Sequence, residues 1–261
     1  MIVPVVLVLE SPRRSGWELT GASKGAGPSG SPGPGEILVK VEACGICGSD
    51  IVEWYRLPRA PLVQGHEVGV EVVETGEGVP QFSPGDRLFI APKVPCMECD
   101  YCRAGHHPQC TSVKDRLPGG FAEYIRLPAS IVVPLPAGLS LREAMGLGTA
   151  GFTAAMSLWR MEANGQRPEM GPVVVTGASG GVGTVAIDLL TAVGYEVHAI
   201  TGKTDHFDWL ESLGARQCIS RHDLHWGQRP LEKASWAGCI DSVGGDMLAG
   251  LTRVIEPWGN I

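Results

Sequence analysis

From residue 36 onward, apolar and polar residues alternate over short stretches broken by glycine and proline. EILVKVEACG, GHEVGVEVVETG, GDRLFIAP and AEYIRLP each carry this pattern, which sends successive side chains to opposite faces of a strand. Together they predict a barrel-like all-β unit. The apolar run at residues 1–9 reads as a first strand: it contains Pro4 and is too short to span a bilayer. Residues 11–35 are rich in Gly, Ser and Pro with little to bury, which predicts a mobile excursion.

Near residue 140 the period changes. LREAMGLGTAGFTAAMSLWRM predicts a helix pair. Beyond it, apolar strands at 173–176, 195–200, 216–219 and 237–241 alternate with the amphipathic stretches VAIDLLTAV and DWLESL. Such alternation predicts a parallel sheet with right-handed crossovers. Two domains are expected, 1–139 and 140–261.

The length of 261 residues accommodates both. A formal charge of −7 argues against a nucleic-acid surface, which needs clustered Lys and Arg. Eight cysteines without a secretory leader point to a reducing compartment. The expectation is a soluble cytoplasmic protein with no nucleic-acid or membrane partner.

Four of those cysteines, Cys96, Cys99, Cys102 and Cys110, follow the spacing C-x2-C-x2-C-x7-C. Short gaps bring thiolates together on a tight turn and the longer gap lets the fourth close a tetrahedron, as in a structural Zn²⁺ site. A redox cluster or two disulfides are the alternatives, although cysteines three apart rarely meet disulfide geometry. His106 and His107 lie between the third and fourth cysteines and could substitute as a ligand. An all-thiolate site leaves them on the surface.

The strand at 173–176 runs into Gly177, Ala178, Ser179, Gly180, Gly181, Val182 and Gly183, then a helix. Glycines let backbone N–H groups approach a pyrophosphate, and the helix start adds partial positive charge. Ala178 stands where G-x-G-x-x-G has its first glycine. NAD-binding proteins usually carry an acid at the end of the next strand, for the ribose. Here the chain reads Thr201, Gly202, Lys203, with no acid before Asp205. A hydroxyl and a cation suit a 2′-phosphate, which predicts NADPH.

Cys44-Gly45-Ile46-Cys47-Gly48-Ser49-Asp50, Gly65-His66-Glu67, Gly85-Asp86 and the four-cysteine loop together resemble the zinc-dependent medium-chain dehydrogenase/reductase family. The resemblance implies a GroES-like β-barrel catalytic domain followed by a Rossmann doubly wound parallel sheet. It implies catalytic-zinc ligands at Cys47 and His66, with Glu67 as an acidic neighbour able to approach the metal. It further implies a proton-relaying hydroxyl at Ser49, a supporting Asp50 and a structural zinc on the cysteine loop, and Cys44 is not a usual ligand. The family's third ligand aligns with Gly146, which has no donor. Glu143 is expected to be an exposed helix residue.

The segments AMGLGTAGFTAAMSL, GPVVVTGASGGVGTVAIDLL and RPLEKASWAGCIDSVGG resemble the zinc-free acryloyl-CoA reductase branch of the superfamily. Residues up to about 132 resemble polyol and threonine-type zinc dehydrogenases, so the chain reads as a hybrid. Residues 256–261 fall where a fifth strand would begin. The sheet is expected to lack its last strands, and the family's dimer interface with them. Three readings compete: zinc-binding, NADPH-preferring hydride transfer on an alcohol or carbonyl; enoyl-CoA reduction without catalytic zinc; and a non-catalytic remnant retaining structural zinc and cofactor. Cys218 and Cys239 are expected to be core residues, His198 to pack against a helix, and His206, His222 and His225 to lie on the surface.

Overall fold

The computed structural model describes residues 31–56, 64–90, 95–96, 98–106, 109–111, 119–227 and 229–261. The strand expected at residues 1–9, most of the Gly/Ser/Pro-rich segment and His107 lie outside these. The described chain divides into two units between Thr149 and Ala150.

The alternating runs of the first unit form five strands: β1 (Glu36–Gly45), β2 (Glu67–Thr75), β3 (Arg87–Ile90), β4 (Tyr124–Pro128) and β5 (Val132–Pro134). They pair antiparallel in the order β4-β1-β2-β3-β5. Ile37, Val39, Val68, Val70, Val72, Leu88, Ile90, Ile125 and Leu127 bury one face, as the alternation requires. The β1–β2 register shifts between Val41 and Ala43. Beyond this irregularity Ala43, Cys44 and Gly45 are all buried, so the strand runs inward and delivers Cys47 and helix α1 (Gly48–Arg56) at its end. Helix α2 (Asp100–Arg103) is one turn within the cysteine loop.

The predicted helix pair is α3 (Leu141–Ala144), a short 3₁₀ turn, then α4 (Thr149–Ala163). The division between units falls later than the change of period near residue 140, for a packing reason. Ala144 and Met145 bury against Ala43, and Leu141 and Met145 lie over Gly69 of β2. Residues 140–149 therefore belong with the first sheet although their pattern is helical.

The second unit carries β6 (Val173–Thr176), β7 (Val197–Thr201), β8 (Gln217–Ser220), β9 (Trp236–Ile240) and β10 (Ile255–Asn260). All pair parallel, in the order β10-β9-β6-β7-β8. Helices α5 (Gly181–Ala192), α6 (Phe207–Ser212) and α7 (Gly245–Leu251) lie between the strands in sequence. Val173 and Val175 pack into one core with Ala186, Ile187, Leu190 and Leu210, while Val174 packs into another with Trp236, Cys239 and Leu251. Two cores on a continuously apolar strand are the mark of a sheet covered on both faces. The fifth strand, expected only to begin near Glu256, is formed, but Trp258 at φ 71° interrupts its ladder. Among the described residues no helix is long and apolar enough to cross a membrane.

Candidate functional site

The strand order reverses at β6, which has β7 on one side and β9 on the other. Ligands of open α/β sheets bind outside the carboxyl ends of strands at such a point. The glycine sequence emerges there. Gly177 turns out of β6 at φ 57°, and Gly180 precedes the first turn of α5. A Cβ on Gly183 would come within 2.5 Å of the Gly177 carbonyl and 2.6 Å of Ala178 Cα, so only glycine permits this approach of helix to strand. Ala178 fills the place of the motif's first glycine by burying its methyl completely in the core. Val182 lies half-buried in the first turn of the helix.

Ser179 and Thr201 hydroxyls meet at 2.9 Å, and the Lys203 N–H donates to Thr201 Oγ1 at 3.1 Å. The glycine turn is thus joined to the end of β7, leaving Lys203 exposed. Sequence reasoning missed a second cation. The Arg221 N–H donates to the Thr201 carbonyl, and its guanidinium covers Gly202, where a Cβ would lie 2.6 Å from Nε. Nε also donates to His222 Nε2 at 3.4 Å. Neither cation has an ion-pair partner among the described residues. The available signal was a cation just past the end of a strand, but its meaning requires Thr201 and Ser220 to be register partners.

In the first unit the sulfurs of Cys96, Cys99, Cys102 and Cys110 all lie within 4.8 Å of one another. Cys96 and Cys102 Sγ are 3.9 Å apart. Four sulfurs at zinc–thiolate distance on a tetrahedron are about 3.8 Å apart, whereas a disulfide needs about 2 Å. Backbone N–H groups of Glu98 and Cys99 donate to Cys96 Sγ, and that of Cys96 to Cys110 Sγ. Such donors favour thiolate. The Cys99 thiol is pulled down to about 6, chiefly by backbone donors at Cys102 and Thr111. His106 is exposed and outside the cluster. The donor set fits zinc.

A second donor group unites Cys47, His66 and Glu67, again within 4.8 Å. Asp50 is buried and organises it: Oδ2 accepts the Cys47 N–H at 2.8 Å and Oδ1 lies 3.1 Å from His66 Nδ1. Ser49 Oγ is 3.3 Å from His66 Nε2. The Glu67 carboxylate accepts the Thr149 N–H at 2.8 Å. A Cβ on Gly148 would sit 2.6 Å from that carboxyl carbon, so Gly148, rather than the aligned Gly146, abuts the acid. This set of sulfur, nitrogen and oxygen donors also fits zinc. Cys44 is outside this group, and burial pushes its thiol up to about 12.

The remaining candidates take structural places. Glu143 is exposed and closes a capping box with Ser140. Cys239 is buried, with its thiol raised by burial, and Cys218 is partly buried. His198 accepts from Trp236 Nε1 at 3.0 Å. His222 and His225 are exposed, and His206 is half-buried edge-on to Trp209.

Residues 33–137 match the model of the alcohol dehydrogenase GroES-like domain. The structure resembles the yhdH oxidoreductase of Salmonella enterica, solved in complex with NADP, at a TM-score of 0.72 and 34% identity, covering 90% of this chain and 67% of that one. It also resembles Bacillus subtilis yhfP, solved with NAD bound, at a TM-score of 0.71 and 37% identity, covering 86% of this chain and 64% of that one. A stretch of 132 residues is 50% identical to the acrylyl-CoA reductase AcuI of Ruegeria pomeroyi, spanning 50% of this chain and 40% of that protein.

Proposed function

The chain belongs to the medium-chain dehydrogenase/reductase superfamily, and on that premise we propose that it is an NADPH-preferring oxidoreductase. It transfers hydride between nicotinamide and an alcohol or carbonyl substrate and holds zinc in its four-cysteine lobe. The observation that carries this reading is the pair of cations, Lys203 and Arg221, beside the glycine turn where NAD-binding proteins place an acid. The relatives solved with NADP and NAD support a nicotinamide cofactor.

The backbone N–H groups of Gly181 and Val182, at the start of α5, would hold the pyrophosphate, and Thr201, Lys203 and Arg221 the 2′-phosphate. Cys47, His66 and Glu67 would hold a second zinc, which when bound supplies Lewis-acid polarisation of a carbonyl oxygen. Asp50 fixes the His66 ring through Nδ1, so Nε2 is the nitrogen left to face a metal. Ser49, adjacent to it, carries the proton of the substrate hydroxyl.

A second reading, enoyl-CoA reduction, is favoured by the identity to acrylyl-CoA reductase and by the absence of a donor at Gly146. One preparation separates the two readings. NADPH and NADH dissociation constants are measured by nucleotide fluorescence, zinc is counted, and NADPH oxidation is followed with carbonyls and with acryloyl-CoA. Tighter NADPH binding, two zincs and carbonyl turnover support the first reading. One zinc with acryloyl-CoA-dependent oxidation supports the second, and equal affinity for the two nucleotides overturns the NADPH assignment.

A further inference from the structure

We propose that Thr176 and Asp241 are positioning residues for the dinucleotide pyrophosphate, tying the glycine turn to the loop that leaves the neighbouring strand. The proposal rests on the cofactor reading above and adds to it a device outside the glycine motif.

Thr176 ends β6 and is fully buried. Its hydroxyl donates to Asp241 Oδ1 and accepts the Ser242 N–H at 3.1 Å. The Ser242 hydroxyl returns a bond to the Thr176 carbonyl at 2.9 Å. Asp241 also accepts the N–H groups of Val243 at 3.2 Å and Gly244 at 2.9 Å. Since β6 and β9 are the strands between which the sheet order reverses, these bonds knit the two lips of the crevice.

The knot bears directly on the turn. Gly177 follows Thr176, and a Cβ there would lie 2.8 Å from Ser242 Oγ, so this residue sits on the Ser242 hydroxyl. The Gly177 carbonyl then accepts the Gly180 N–H at 2.8 Å and is the group against which Gly183 packs. Displacing Gly177 would displace every backbone donor of the cradle. Glycines alone leave such a turn free to sample many conformations, whereas donors act on an anion most strongly when they are already aimed. A mutually bonded network anchored on the buried Thr176 supplies that fixity. Asp241 keeps two backbone partners when the Thr176 hydroxyl is removed, so the change does not strand a bare charge.

The test compares Thr176→Val, Thr176→Ser and wild type in the full chain, using NADPH and adenosine 2′-monophosphate, which has the 2′-phosphate but no pyrophosphate. Thr176→Val should raise the NADPH dissociation constant about tenfold and leave that of the fragment unchanged, while Thr176→Ser binds both as wild type does. Equal weakening of both ligands by Thr176→Val, or of neither, overturns the proposal. Should Thr176→Val fail to fold, Ser242→Ala at the exposed end of the knot must weaken NADPH and spare the fragment; unchanged NADPH binding there is equally fatal. Wild type that binds neither ligand overturns the cofactor reading itself.

Discussion

The Thr149 backbone N–H donates to Glu67 Oε1 at 2.8 Å, joining residues 82 positions apart. Gly45 and Gly148 leave space for the same carboxylate; a Cβ on Gly45 would come within 2.5 Å of Oε2. Gly148→Ala should overpack this point, cost about 1–3 kcal/mol and dislodge Glu67 from Cys47 and His66. Urea unfolding and cobalt(II) titration check it. A variant with wild-type stability and wild-type metal stoichiometry contradicts the arrangement.

The cysteine lobe makes a separate demand. Cys102→Ser removes a buried sulfur from the cluster, and one equivalent of zinc should be lost from the purified chain. A strong chelator should likewise lower the thermal midpoint of wild type, and added zinc should restore it. Retention of full zinc content by the variant would remove the lobe from consideration as a metal site.

Arg221 and Lys203 should divide the work of nucleotide discrimination unequally. The Arg221 guanidinium lies over Gly202 and its Nε donates to His222, whereas the likewise exposed Lys203 has no ion-pair partner among the described residues. Arg221→Ala should weaken NADPH about tenfold or more, with NADH unaffected, and Lys203→Ala should have a smaller effect. Parallel titrations of both variants with both nucleotides decide it, and equal losses for NADH would refute a 2′-phosphate role.

Gly183→Ala tests the approach of helix to strand. The added methyl meets backbone at Gly177 and Ala178 rather than a movable side chain, so no rotamer change relieves it. The variant should lose nucleotide binding and melt lower. Normal affinity with a normal melt would show that the turn yields.

A pH effect follows from the capping box at α3. Ser140 donates to Glu143 through its hydroxyl and its N–H, and these bonds hold the Glu143 carboxyl below its ordinary value of 4.5. The folded value is the lower one, so the pair's stabilisation is present above the ordinary value and is lost as pH falls below it. Ser140→Ala should therefore lower the unfolding midpoint at neutral pH, and the gap to wild type should narrow in acid. A constant gap from pH 7 to pH 3 would count against the pair.

Much of this was readable from local pattern. The run at residues 36–45 is β1 and that at 173–176 is β6, because alternation and continuous apolarity are signals carried by adjacent residues. Cys96 to Cys110 disclosed a four-sulfur cluster for the same reason: the residues are neighbours in sequence, so their spacing already limits their geometry. The glycines after β6 announced a tight strand-to-helix turn because strand, turn and helix follow one another directly.

What remained hidden joins residues that only folding makes neighbours. Arg221 acquires meaning once β8 pairs with β7 in register, and Asp241 once β9 lies beside β6. Residues 140–149, helical by pattern, fall to the first unit because Ala144, Met145 and Thr149 find partners there. The sequence by itself determined the elements, the four-sulfur cluster and the glycine turn, since periodicity and residue spacing act within one segment. The tertiary structure alone decided which cation flanks Thr201, which glycine faces Glu67 and what steadies Gly177, because register and packing are properties of paired segments.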